Sequence, residues 1–160
     1  MTDRPGPKVR TDVVDVYVFV RTQSHVQFLQ ILRAREPMLG TWHPVMGHVE
    51  PGETAIQAGA RECLEELGLD VRSAVGFWAL EETFPFYLPA RDAVMMSPRF
   101  AVEVREGWQP VLNAEHSDAR WVAGDEGDWL WPGQAACVRA ILRDLVPAGA
   151  RREALAVRMP

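Results

Sequence analysis

Residues 13–20 read VVDVYVFV, β-branched and aromatic apart from Asp15, and such a run predicts a strand buried on both faces. Residues 26–32 predict a second strand, with Ser24 and His25 in the turn between them, so the pair reads as a hairpin. Residues 42–49 predict a third. Residues 54–67 form the clearest helix: Thr54 is placed to cap it, Gln57 follows three positions on as in a capping box, and Gly68 stops it. Further strands are expected at 74–80, 100–104 and 119–122. A last helix is expected at 134–145, where Val138, Ile141, Leu142 and Leu145 recur at helical spacing ahead of Pro147. The order β-β-β-α-β-β-β-α predicts one α/β domain, a mixed β-sheet covered by helices. Residues 1–10, polar and carrying Pro5 and Pro7, are expected to be a flexible N-terminus, residues 11–146 the domain, and residues 147–160 a C-terminal tail, either a short helix or frayed.

Composition changes this picture little. Of 160 residues 48% are hydrophobic, and 17 basic against 22 acidic side chains give a net charge of −5, ordinary for one soluble globular domain. The mild acidity argues against nucleic acid or a membrane surface as partner, since both select clustered Lys and Arg. Cys63 and Cys137 stand far apart in apolar periodic segments, which predicts two buried thiols rather than a disulfide framework or a zinc site. No apolar run suits a signal peptide or a bilayer span, so a cytoplasmic location is the expectation.

On a helical wheel over 54–67, Cys63, Ile56, Leu67, Ala60 and Leu64 share one arc of roughly 100°, which predicts the core face. Opposite them fall Glu62, Glu65 and Glu66 together with Ala55, Ala58 and Gly59. A glycine inside a helix costs about 1 kcal/mol against alanine, so Gly59 suggests that a loop or ligand approaches there. Taken alone, the acidic face reads as solvated, with Arg61 set to pair with Glu65. The preceding residues alter that reading: the turn-forming stretch from Gly47 through Pro51 and Gly52 ends at Glu53, a fourth carboxylate delivered to the start of the acidic helix. Four carboxylates brought together favour a hard cation with oxygen ligands, Mg²⁺ or Mn²⁺.

The same stretch, GHVEPGETAIQAGARECLEELGL from Gly47 to Leu69, resembles the Nudix box G-x5-E-x7-R-E-U-x-E-E-x-G-U, where U is a bulky aliphatic residue. Gly47, Glu53, Arg61, Glu62, Glu65, Glu66 and Gly68 fall on its fixed positions. Cys63 is the one departure, at the first U position on the core arc. The resemblance implies a Nudix α/β/α sandwich that cleaves phosphoanhydrides in compounds built from a nucleoside diphosphate joined to another group.

Carried over by position, the resemblance implies that Glu62, Glu65 and Glu66 are metal ligands, one of them acting as general base. Glu53 and Arg61 would orient the cluster, and the backbone carbonyl of Met46 would be a further ligand. Glu115, in a Glu-His-x4-Trp segment shared by several Nudix branches, stands where many members add a carboxylate. Arg33 and Arg35, at the end of the second strand, are candidates for substrate phosphate because the guanidinium fork binds it bidentately. Trp42, Phe84, Phe86 and Tyr87 are candidates for contact with the base. His48 is expected to line the loop, and His25 to be solvated.

Substrate cues conflict. Pro85 stands where ADP-ribose pyrophosphatases often carry a proline, and Tyr87 where diadenosine polyphosphate hydrolases often carry a tyrosine. The stretch from Trp42 to Thr54 and the Glu115-His116 pair resemble enzymes that take nucleoside or pterin triphosphates, and a triphosphate is the expectation. The partner expected is thus a small nucleotide, with a homodimer as an open alternative for assembly. A non-catalytic nucleotide-sensing module is the rival from another class; such modules usually lose a glutamate of the box, and every one is present here.

Overall fold

The computed structural model describes residues 5–124 and 126–159; residues 1–4 of the expected flexible N-terminus and residue 160 of the tail lie outside them. Hydrophobic alternation in β2 (Val13–Arg21) organises the molecule. Val14, Val16, Val18 and Val20 point to one side, where they pack with Ala58, Cys63 and Leu67 of α1 (Ala55–Leu67). Tyr17 and Phe19 point to the other, packing with Cys137, Val138 and Ile141 of α2 (Pro132–Asp144). One strand therefore anchors both layers of an α/β/α sandwich, as period-two geometry allows.

The central sheet runs β10 (His116–Ala123), β3 (Val26–Arg33), β2, β9 (Arg99–Val104), β6 (Gly76–Ala79). β2 and β9 are parallel and the other pairs antiparallel, so the sheet is mixed. The β2–β3 hairpin forms as expected, closed by a Thr22 N–H to His25 carbonyl bond of 2.9 Å. The third expected strand is split at Pro44. Lacking an N–H, proline cannot continue a ladder; β4 (Trp42–His43) pairs with β3, and β5 (Val45–His48) pairs with β2. The chain thus fills the wedge where β2 and β3 diverge.

Elements that the hydrophobic pattern missed form a small second sheet. β1 (Lys8–Arg10) runs parallel to β8 (Ala93–Met95), which pairs with β7 (Phe86–Leu88). Residues 8–10 are therefore a strand rather than a flexible lead. Each strand is only three residues long, and β7 sits between Pro85 and Pro89, which masks any alternation. The tail takes the helical alternative as α3 (Ala150–Leu155), after which the Val157 N–H donates to the Phe77 carbonyl at 2.8 Å on β6.

Helix α1 begins and ends as its sequence predicts. Thr54 and Gln57 form a reciprocal capping box, and Gly68 takes a left-handed φ of 65°. Its rotation about its axis corrects the wheel. Ala58, Gly59, Glu62 and Glu66 are buried with Cys63 and Leu67, whereas Leu64 is 56% exposed. The small residues meet the sheet and not a ligand: a Cβ on Gly59 would lie 3.2 Å from both Phe100 and Val16. Backbone approach at Ala58 and Gly59 turns two of the glutamates inward. Both cysteines are buried free thiols. Among the described residues no helix is long and apolar enough to cross a membrane.

Candidate active site

Arg61 is the hub of the site. Its Nε and one terminal nitrogen hold both oxygens of Glu53, at 2.9 and 3.1 Å, and the other terminal nitrogen reaches Glu62 at 2.8 Å and Glu65 at 3.3 Å. It also donates to the His48 carbonyl at 2.8 Å, tying the loop to the helix. This bidentate grip on Glu53 holds its carboxyl below the usual range, and Glu53 also accepts from the Glu50 N–H at 2.9 Å.

Gly47 gives Glu62 its position. A Cβ there would lie 2.0 Å from the Glu62 carboxyl oxygen, so only glycine leaves room for that side chain against β5. Glu66 is deeper, 3% exposed, and its Oε2 is buried without a hydrogen-bond partner. Burial, and then the neighbouring charges of Glu62 and Glu115, push its carboxyl up to about 9. Glu62 is raised for the same leading reason. The Met46 backbone borders Glu66.

Glu115 arrives from another part of the chain. Its carbonyl accepts from the Ala34 N–H at 2.8 Å, and its carboxylate pairs with Arg33 at 2.5 Å. The structure therefore assembles Glu53, Arg61, Glu62, Glu65, Glu66, Met46, Glu115 and Arg33 in one neighbourhood. Arg35 is exposed on the loop beyond Arg33. Trp42 is half-buried, with the Arg120 guanidinium 4.2 Å over its ring. Phe84 and Tyr87 stand apart from the carboxylates in their contacts: Phe84 lies under Arg99, 5.3 Å away, and the Tyr87 hydroxyl donates to Asp92 at 2.9 Å. His25 and His48 are exposed.

Sequence reasoning missed a pair of buried histidines beside Glu115. The rings of His43 and His116 lie 5.3 Å apart, and each Nε2 is buried without a partner. His116 Nδ1 is 3.3 Å from Asn113 Oδ1, the oxygen that also accepts from the Glu115 N–H at 3.1 Å. His116 lies inside the Glu-His-x4-Trp segment, but its contact with His43 depends on both strands flanking β3.

The carboxylates outnumber the positive groups among them, and Glu66 has no donor at all on one oxygen. Such a set suits a hard divalent cation, which accepts oxygen ligands and removes the mutual repulsion.

The family-level comparison agrees in extent and in kind. A NUDIX domain model matches residues 9–141. The chain belongs to the NUDIX family. It is accordingly an enzyme of the pyrophosphohydrolase class, and Nudix hydrolases generally use divalent metals. It is 32% identical over 115 residues to the asymmetrical bis(5'-nucleosyl)-tetraphosphatase of Sus scrofa, covering 64% of this chain and 68% of that protein. It is also 32% identical over 110 residues to the NAD-capped RNA hydrolase NudC of Vibrio vulnificus, covering 69% of this chain and 38% of that one. A C. elegans Ap4A hydrolase binary complex superposes with a TM-score of 0.68 at 18% identity, over 85% of this chain and 98% of that chain. At that identity the shared property is the Nudix fold.

Proposed function

We propose that this Nudix enzyme hydrolyses a nucleoside triphosphate, or a close analogue, to the monophosphate and pyrophosphate with Mg²⁺ or Mn²⁺. The observation that carries the reading is Glu66, buried and unpartnered on Oε2 beside Glu62 and Glu115. Glu62, Glu65, Glu66 and Glu115, with the Met46 carbonyl, would hold the cation. Bound there, a divalent ion would supply charge to neutralise phosphate oxygens and lower the pKa of an attacking water.

The chain's own residues do the rest. Arg61 holds both Glu62 and Glu65, and Glu53 in turn fixes Arg61. One carboxylate of the cluster takes the proton of the attacking water. Arg33, which neutralises Glu115, and the exposed Arg35 receive the phosphates as they enter.

The full set of box glutamates supports catalysis over nucleotide sensing. A second reading, asymmetric cleavage of a dinucleoside tetraphosphate, is favoured by the similarity to the Sus scrofa enzyme. A screen of triphosphates, ADP-ribose and diadenosine polyphosphates with Mg²⁺ and Mn²⁺, with product identification, separates these. The first reading expects the highest kcat/KM on a triphosphate with release of pyrophosphate. A markedly higher kcat/KM on a dinucleoside polyphosphate establishes the second, and turnover of nothing in the panel rejects both.

A further inference from the structure

The sheet face turned away from α1 carries a cleft of about 410 Å³ between residues 40–42 and residues 127–130, a volume within the range of small-molecule sites. Trp42 and Asp128 line it, and an unusual polar arrangement backs them. Gln30 is fully buried, and both ends of its amide are committed: the nitrogen donates to the Asp128 carbonyl at 3.1 Å, and the oxygen accepts from Arg120 Nε at 2.9 Å. Thus held, the Arg120 guanidinium lies 4.2 Å over the Trp42 ring, with one terminal nitrogen 3.8 Å from the Asp128 carboxylate. A surface Arg–Trp pair needs no buried amide to form. Placing a glutamine in the core, where an unsatisfied amide is costly, has a specific result: it fixes the plane of one arginine whose side chain is still 35% exposed.

The cleft also adjoins the carboxylates. Trp42 and His43 are consecutive on β4 and so face opposite sides of the sheet. The His43 ring packs at a tilt against His116 beside Glu115, and Trp42 floors the cleft. At the same strand end the Arg33 N–H donates to the Thr41 carbonyl at 3.0 Å, and the Gly40 N–H to the Arg33 carbonyl at 2.9 Å. β10, β3 and β4 lie side by side, so Glu115 and Trp42 are about two strand spacings apart, roughly 10 Å.

We propose that this cleft is the nucleobase subsite. The base lies flat on the Arg120 guanidinium, adding a third layer to the Trp42–Arg120 stack. The Asp128 carboxylate accepts from N–H groups on the base edge, and the phosphates pass over the strand end to Arg33 and the carboxylates. Planar guanidinium suits this task, because it stacks on π-faces where an ammonium cannot. The assignment rests on the nucleotide reading above and adds Arg120, Gln30 and Asp128 as determinants of base recognition.

The test is calorimetric binding of AMP, GMP and ribose 5-phosphate in the presence of Mg²⁺, which requires no turnover. Wild-type protein should bind the better of the two nucleotides about tenfold or more tightly than ribose 5-phosphate, the scale of one base stacking on a protein platform. Arg120→Lys keeps the charge and removes the plane. It should reduce that preference to within about threefold while leaving ribose 5-phosphate affinity unchanged. Trp42→Ala should do the same, and Trp42→Phe should restore most of the preference; thermal melts confirm that each variant is folded. The proposal is overturned if the wild type shows no nucleotide preference, if Arg120→Lys retains it, or if the variants weaken ribose 5-phosphate equally. A base preference that behaves as expected in a protein hydrolysing nothing in the substrate screen would reject the catalytic reading and leave the subsite standing.

Discussion

Two charge clusters in this molecule are built from the same residue types in opposite proportions. Along α1, one arginine, Arg61, serves three carboxylates, and a further one, Glu66, is left buried without a donor on Oε2. Under α3, one carboxylate, Glu103, receives two arginines: Arg21 at 2.9 Å and Arg152 at 2.8 Å. Arg21 also donates to the carbonyls of Leu145 and Val146 at the end of α2, and Arg152 lies 4.2 Å over Trp78. The second cluster finds its positive charge within the fold and fastens the tail to the sheet. The first is stabilised fully only when positive charge comes from outside. Between them stands the buried Asp15–Arg99 pair, one to one at 3.3 Å.

Removing the deficit at Glu66 should produce the largest effect. Glu66→Gln is expected to lower kcat about 100-fold or more, the upper end of what loss of a metal-site partner costs. The fold should persist, because the variant removes a buried carboxylate and not a packing volume. Mg²⁺ should raise the melting temperature of the wild type and not of this variant. Unchanged kcat alongside an unchanged Mg²⁺ response would remove Glu66 from the cluster's chemistry.

The arginine-rich cluster at Glu103 should respond in stability instead. Glu103→Gln leaves two arginines facing a neutral partner, and denaturant titration should show a loss of about 2–3 kcal/mol. That lies below the 3–5 kcal/mol of a wholly buried pair, because both arginines are partly exposed. kcat should stay within about twofold. Loss of activity without loss of stability would mean that the two clusters are not separate in function.

Asp15 sharpens the comparison through pH. Burial raises its carboxyl from 3.8 to about 6 against the opposing pull of Arg99. The folded protein therefore keeps this proton to higher pH than the unfolded chain. Its contribution to stability is complete below about pH 4 and is lost as pH rises through 6. The wild type should thus decline relative to Asp15→Asn between pH 4 and 6, by up to about 3 kcal/mol at 1.36 kcal/mol per unit. Parallel stability curves for the two proteins would show that Asp15 is ionised throughout.

The smallest effect belongs to Glu65. Its side chain is 54% exposed at the outer end of the Arg61 network, so Glu65→Gln should change stability by less than about 0.5 kcal/mol. Any large loss of kcat in that variant then reports its part in holding the cation, free of a folding contribution.

How far the chain could be read in advance depended on the range of the interaction. The capping box of Thr54 and Gln57, the Gly68 stop and the β2–β3 hairpin are set by residues a few positions apart, and each formed. The spacing that brings Arg61 to Glu62 and Glu65 is equally local. The rotation of α1 was not legible, because hydrophobicity alone assigns Leu64 to the core and Glu62 and Glu66 to solvent. Close approach at Ala58 and Gly59 to Val16 and Phe100 reverses that order. The meeting of Glu115 with Arg33, and of His43 with His116, depends on the register of β10 and β4 on either side of β3. No spacing along the chain encodes that register. The three-residue strands β1, β7 and β8 are too short to show a period, and prolines flank β7.

The tail that closes over β6 has a consequence for how the protein survives in concentrated solution. β6 is the last strand on its side of the central sheet, and its outer backbone groups would otherwise offer a template to another chain. The bond from Val157 to Phe77 and the bridge between Trp78 and Ala156 cover that row. Residues 150–157 act as a guard against edge-to-edge aggregation, with the Arg152–Glu103 pair as the clasp. A chain shortened before Gly149 would keep its carboxylate cluster and its cleft, yet present an open sheet edge to every neighbouring copy.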